Sequence, residues 1–118
     1  MTKRLSSVKI ESTSENRLKF RETLFSAEGM KNYIGGVILY DETIKQKTSS
    51  GKTIPELIKS FGSIPGIKVD TGAKVLSGSP EEKITEGLDG LRDRLKDYYK
   101  LGAKFAKWRG IYLSLIHI

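Results

Sequence analysis

Two short segments of this chain share a pattern in which apolar and charged residues alternate. They are Gly66–Asp70 (GIKVD) and Phe105–Arg109 (FAKWR), and a segment with helical periodicity lies between them. Alternation with a period of two is typical of β-strands. Two strands joined by a helix of this length predict a βαβ unit in a parallel sheet. The pattern therefore indicates an α/β fold.

The charged residues of both segments lie at their C-terminal ends. Alternation predicts that Lys68 shares a face with Asp70, and that Lys107 shares a face with Arg109. Two cations side by side repel each other and lose hydration if they are buried, so an anion should compensate them. Ligand sites of α/β folds lie where parallel strands end. The alternative is an exposed edge strand that carries lysine against aggregation.

Composition narrows the possible partners. The 118-residue chain has a formal net charge of +7, which favours anionic partners such as nucleic acid or a phosphorylated metabolite. The basic residues are scattered, and no aromatic-rich nucleic-acid motif is present. Without cysteine there is neither a disulfide framework nor a thiolate metal site. No apolar run approaches the roughly 20 residues of a membrane span, and the N-terminus lacks a signal-peptide pattern. We therefore expect no membrane association and a cytoplasmic location.

Local signals predict the remaining elements. Ile34–Tyr40 is apolar on both faces, as a buried parallel strand should be. A capping box with Ser12 as the N-cap predicts a helix that ends near Phe25, and a second capping box predicts a helix over Thr53–Ser60. Glycine and proline in Thr71–Pro80 predict an exposed loop.

The crossover helix should begin within Gly87–Leu91 and end at Gly102. Apolar residues with helical spacing predict its buried face: Leu88, Leu91, Leu95, Tyr98 and Tyr99. Three parallel strands with open edges rarely form a stable domain, because both faces and both edges need cover. A closed (β/α)8 barrel needs about 250 residues, so we expect that about half of a larger barrel is missing.

Several motifs of this chain, taken together, resemble class I fructose-bisphosphate aldolase in their order and nearly in their spacing. They are Glu15-Asn16-Arg17, Ile34-Gly35-Gly36-Val37-Ile38-Leu39, Gly66-Ile67-Lys68-Val69-Asp70, Gly87-Leu88-Asp89-Gly90-Leu91 and Phe105-Ala106-Lys107-Trp108-Arg109. The resemblance covers roughly residues 1–109, and the apolar segment 110–118 departs from the family pattern as a divergent tail. It implies a partial (β/α)8 TIM barrel containing the second to fourth strands.

The resemblance also implies roles for individual residues. Lys107 corresponds to a catalytic lysine that contacts the substrate and supports the charge changes around the Schiff base. Four residues correspond to substrate-binding positions: Arg4, Arg17, Lys68 and Arg109. The alternation of strand residues independently supports Lys68, Lys107 and Arg109, whereas nothing but the resemblance supports Arg4 and Arg17.

The implied reaction is glycolytic, the reversible cleavage of fructose 1,6-bisphosphate to dihydroxyacetone phosphate and glyceraldehyde 3-phosphate through a lysine Schiff base. The family uses no metal or other cofactor and forms homotetramers. Its Schiff-base lysine, paired glutamates and catalytic aspartate have no counterpart here, so we expect a piece of a longer protein that is inactive alone. The alternative is a noncatalytic module that binds phosphorylated ligands or nucleic acid.

Overall fold

The computed structural model describes residues 1–112, which form six helices and five strands. The helices are α1 (Thr2–Ser7), α2 (Ser14–Phe25), α3 (Met30–Tyr33), α4 (Asp41–Ile44), α5 (Ile54–Ser60) and α6 (Leu91–Lys100). The strands are β1 (Gly36–Leu39), β2 (Ile64–Lys68), β3 (Gly72–Leu76), β4 (Ser79–Glu86) and β5 (Phe105–Lys107).

The strands β1, β2 and β5 form a parallel sheet in that order, as the βαβ pattern predicts. The register places Ile38 opposite Gly66, and Gly66 opposite Phe105. Lys68 is opposite Lys107. The side chains of paired residues in a parallel sheet point to the same side, so Ile38, Gly66 and Phe105 share one face, and Lys68 shares a face with Lys107.

The helices cover the opposite face of the sheet and enclose the core. Leu39, Ile67 and Val69 are buried there, together with Ile54 and Ile58 of the helical layer. The capping box predicted at the start of α5 is present: Thr53 accepts a hydrogen bond from the amide of Glu56, whose carboxylate accepts one from the amide of Thr53. This cap fixes the start of α5, which packs against β2.

The other face of the sheet is open within residues 1–112, which corrects the expectation that both faces of the first strand are buried. Ile38 is 49% exposed and Phe105 is 40% exposed. The Phe105 ring lies over the backbone of β2, where a Cβ added at Gly66 would come within 2.4 Å of it. Glycine is thus required at position 66 for this close approach. The first strand, β1, is also shorter than predicted at both ends.

Residues 71–80 contain most of a β-hairpin, so the predicted exposed loop is wrong. The strands β3 and β4 pair antiparallel, and Leu76 lies opposite Ser79 across a two-residue turn. The second turn residue, Gly78, has φ +78°, which suits a tight hairpin turn. Glycine and proline here mark the turn and the strand ends.

Three details of the helices also differ from the predictions. The N-cap of α2 is Thr13, whose side chain accepts from the amide of Asn16, and not Ser12. The helix α6 begins at Leu91, so Leu88 precedes it and is exposed. Of the predicted apolar face of α6, Tyr98 is buried, whereas Leu95 and Tyr99 are exposed. With only part of a barrel present, the sheet covers less of this helix than its periodicity predicts.

Candidate functional site

Lys68 and Lys107 lie side by side where β2 and β5 end. The register pairs the two residues directly, so their side chains leave the sheet on the same, open face. The side chain of Lys68 is 22% exposed, and Lys107 is half-buried. Two ammonium groups on adjacent strands produce a local positive potential that favours an anion.

Asp70 holds one of these cations. The ammonium of Lys68 lies 2.6 Å from Oδ1 of Asp70 and also donates to the carbonyl oxygen of Asp70 at 2.9 Å. The other carboxylate oxygen accepts from the backbone N–H of Arg109 at 3.2 Å. The hydrogen bond from Lys68 lowers the pKa of Asp70, and the Arg109 amide and the charge of Lys107 act in the same direction against desolvation. Asp70 is therefore ionised near neutral pH.

An aromatic ring borders the same place. The ammonium of Lys68 lies 5.9 Å from the centroid of the Tyr40 ring, a weak cation–π distance at the end of β1. We call Lys68, Asp70 and Lys107, with the backbone amide of Arg109, the strand-end cluster. Its members come from the ends of two adjacent parallel strands, as the sequence predicts for a ligand site.

Arg109 lies outside the strand that was predicted to contain it. The strand β5 ends at Lys107, so strict alternation does not extend to Arg109, which is exposed. The Arg109 backbone connects two elements: its amide donates to Asp70, and its carbonyl accepts from Thr85 Oγ1 at 2.6 Å. The hairpin strand β4 is thereby tied to the chain that follows β5.

Arg17 belongs to a separate charge network. Its Nε donates to Glu42 Oε2 at 3.1 Å, and its Nη1 donates to the carbonyl oxygen of Ser12. Arg21, which is buried, donates to the same Glu42 oxygen at 2.8 Å. The hydrogen bonds from Arg17 and Arg21 lower the pKa of Glu42 to about 2. This network joins α2 to α4, directly after β1.

Arg4 lies on the exposed surface of α1, where its carbonyl oxygen accepts from the hydroxyl of Ser7 at 2.7 Å. Among residues 1–112, no hydrogen bond or salt bridge joins Arg4 or Arg17 to the strand-end cluster. The structure thus brings Lys68, Lys107 and the backbone of Arg109 together. The roles assigned to the five residues by resemblance stay predictions.

Sequence reasoning did not select two carboxylates that organise these cations. Asp70 was assigned to the same face as Lys68, and this spacing could have indicated their salt bridge. Glu42 has its arginine partners 21 and 25 residues earlier in the chain. Such long-range pairing leaves no local pattern in the sequence.

Within residues 1–112, no group of three or more histidine, cysteine, aspartate or glutamate residues is arranged to hold a metal ion. The helices of this part of the chain are also too short or too polar for any of them to cross a membrane.

Comparison with known proteins places this geometry in context. The family model for fructose-bisphosphate aldolase class-I matches residues 1–115. A protein of Xylella fastidiosa named "Probable fructose-bisphosphate aldolase class 1" is 55% identical over 111 residues, which are 94% of this chain and 33% of that protein. Fructose-bisphosphate aldolase 1 of Toxoplasma gondii is 50% identical over 109 residues, which are 92% of this chain and 30% of that protein.

A solved structure agrees with these sequence matches. The fructose-bisphosphate aldolase of Plasmodium falciparum, solved in complex with TRAP and a small-molecule inhibitor, superposes with a TM-score of 0.88 at 47% identity. The match covers 92% of this chain and 31% of that one. The chain spans about a third of the length of the relatives it matches, and its fold is part of a (β/α)8 barrel.

Proposed function

We propose that this chain, which belongs to the class I fructose-bisphosphate aldolase family, contributes the second to fourth strands of a barrel that cleaves fructose 1,6-bisphosphate. The observation that carries the proposal is the pairing of Lys68 with Lys107 at the ends of adjacent strands on the open face. Phosphate carries charge that these ammonium groups can neutralise, and strand ends are where barrels of this kind bind ligands. The products are dihydroxyacetone phosphate and glyceraldehyde 3-phosphate.

Lys107 is the residue to which we assign a catalytic role. In the complete barrel, its ammonium group contacts the substrate and stabilises charge that changes while the Schiff base forms and decays. Lys68 and Arg109 hold a phosphate of the substrate beside it. The hydrogen bond from the Arg109 amide to Asp70 keeps Arg109 at the same strand ends.

Arg17 and Arg4 complete the proposed substrate contacts. The guanidinium of Arg17 already binds Glu42 and Ser12, so a phosphate there has to share it with these partners. Arg4 is exposed on α1 and is available to a phosphate. Both assignments depend on the family pattern.

The chain alone should bind sugar phosphate without cleaving it. Carbinolamine formation needs a lysine nucleophile, and the proton transfers need carboxylates. In the family pattern these groups lie on strands that have no counterpart in this chain. Lys107 alone supplies positive charge and cannot replace them.

Two measurements test this proposal. After incubation with dihydroxyacetone phosphate and borohydride, mass spectrometry should find no stoichiometric adduct on any lysine. In calorimetric titrations with fructose 1,6-bisphosphate, Lys107→Met should weaken binding about tenfold, because a charged hydrogen bond is lost. Lys96→Met, at an exposed position on α6, is the control and should bind as the native chain does. A stoichiometric lysine adduct, or equal binding by both variants, would contradict the proposal.

A salt series separates this function from nucleic-acid binding. Binding to a DNA backbone weakens steeply as salt rises, because many counterions are released. Sugar-phosphate binding should depend on salt less and saturate at one ligand per chain. Tighter binding of DNA than of sugar phosphate at physiological salt would favour the noncatalytic alternative.

Location and assembly are also part of the proposal. One relative, of Arabidopsis thaliana, is named fructose-bisphosphate aldolase 4, cytosolic. We extend a cytosolic location to this protein, and a homotetramer to its full-length form. Neither cofactor nor metal is required by the proposed reaction.

A further inference from the structure

Asp70 is the member of the strand-end cluster with no role in the proposed function. Its side chain is 3% exposed and accepts two hydrogen bonds, one from the ammonium of Lys68 and one from the amide of Arg109, while its backbone carbonyl accepts a second bond from Lys68. Burying a carboxylate is unfavourable unless such bonds compensate it. The chain therefore maintains a negative charge at a place that otherwise favours anions.

A purely electrostatic role does not explain this carboxylate. Removing a negative charge beside two lysines would make the place more attractive to phosphate. The bonds of Asp70 have another consequence, since they join the end of β2 to the backbone two residues after β5 ends. Lys68 and Lys107 lie at these two ends, so Asp70 fixes one ammonium group and restrains the strand that carries the other.

We propose that Asp70 is a positioning residue, which sets the geometry in which Lys68 and Lys107 contact the bound sugar phosphate. The inference rests on the proposed function for the identity of the ligand. It adds Asp70, which acts on the ligand through Lys68 and Lys107 without contacting it. A lysine side chain has four rotatable bonds, and ordering it on binding is unfavourable. Asp70 holds the ammonium of Lys68 in place before the ligand arrives.

The test is a calorimetric titration of the whole 118-residue chain with fructose 1,6-bisphosphate at constant salt. Asp70→Asn removes the charge and weakens the bond between the Lys68 ammonium and the side chain at position 70. If Asp70 positions Lys68, affinity falls about tenfold although the site becomes more positive. If Asp70 acts by charge alone, affinity rises. The control Asp93→Asn makes the same charge change on exposed α6 and should alter affinity less than about twofold.

Circular dichroism shows whether Asp70→Asn folds. If it does not, two further measurements still test the inference. Asp70→Glu keeps the charge but moves the carboxylate by one methylene, and it should also weaken binding. In native chain labelled with ¹⁵N at lysine side chains, the hydrogen-bonded ammonium of Lys68 should give an NMR signal that Asp70→Glu shifts and Lys107→Met leaves in place.

The outcomes separate the two proposals. If the native chain binds no fructose 1,6-bisphosphate, the proposed function fails, while the NMR signal still tests how Lys68 is held. If the native chain binds and both Asp70 variants bind equally well or better, the positioning role is wrong. An unchanged Lys68 signal in Asp70→Glu would also overturn it.

Discussion

At the scale of single residues, Glu42 is the carboxylate on which the contact between α2 and α4 depends most. It accepts from Arg17 and from the buried Arg21. Glu42→Gln should lower the free energy of unfolding by about 1–2 kcal/mol, because it leaves the buried Arg21 without an anionic partner. The loss is no larger because Glu42 is partly exposed, and water screens its charge. Urea unfolding at pH 7 measures this, with Glu28→Gln, at an exposed position, as the control.

The contacts of Glu42 with Arg17 and Arg21 also predict that stability depends on pH. The pKa of Glu42 falls from 4.5 to about 2 on folding, so the ionised carboxylate stabilises the native state fully above pH 4.5. This contribution is lost as the pH falls through about 2. The native chain should therefore lose stability relative to Glu42→Gln between these values, and the two curves should converge in acid. Parallel curves would show that Arg17 and Arg21 do not bind an ionised Glu42.

At the scale of elements, Gly87 joins the hairpin to the crossover helix α6 in a conformation that other residues avoid. Its φ is +131°, and an added Cβ would lie 2.9 Å from the Thr71 amide nitrogen. Gly87→Ala should therefore destabilise the chain by about 2–4 kcal/mol, through backbone strain and collision together. Gly78→Ala, also at positive φ but with open space around the added Cβ, should cost only about 1 kcal/mol. If thermal unfolding shows the same loss of stability for Gly87→Ala and Gly78→Ala, the backbone around position 87 relaxes enough to remove the collision.

The elements also show which features local sequence patterns can predict. The alternation in β2 and β5 predicted the parallel pairing that places Lys68 beside Lys107. It failed for the hairpin, because β3 (GAKVL) has no clear alternation and its glycine and proline neighbours indicated a loop, although Ser77-Gly78 is a turn signal. The alternation could not predict the hydrogen bond that the Arg109 amide donates to Asp70, because that bond depends on where β5 stops and joins residues 39 positions apart.

At the scale of the whole molecule, the sheet has two open edges and one open face within residues 1–112. Beside β1, an edge strand, an apolar hollow of about 540 Å³ is lined by residues that include Met30, Tyr33 and Ile38. Unpaired edges next to exposed apolar side chains favour association between chains. We expect the 118-residue chain to self-associate with rising concentration, despite its net charge of +7.

Two neighbouring positions on β1 test whether this open face causes the association. Ile38 is on the open face and 49% exposed, whereas Leu39 faces the core and is 2% exposed. Ile38→Lys should reduce association, seen by sedimentation velocity, and change the free energy of unfolding by less than about 0.5 kcal/mol. Leu39→Lys should destabilise the fold by about 3–5 kcal/mol, because it puts a charge into the core. If Ile38→Lys associates as strongly as the native chain, the open face is not the contact surface. A stable, monomeric native chain would show in addition that these strands and helices need no further barrel strands to remain folded.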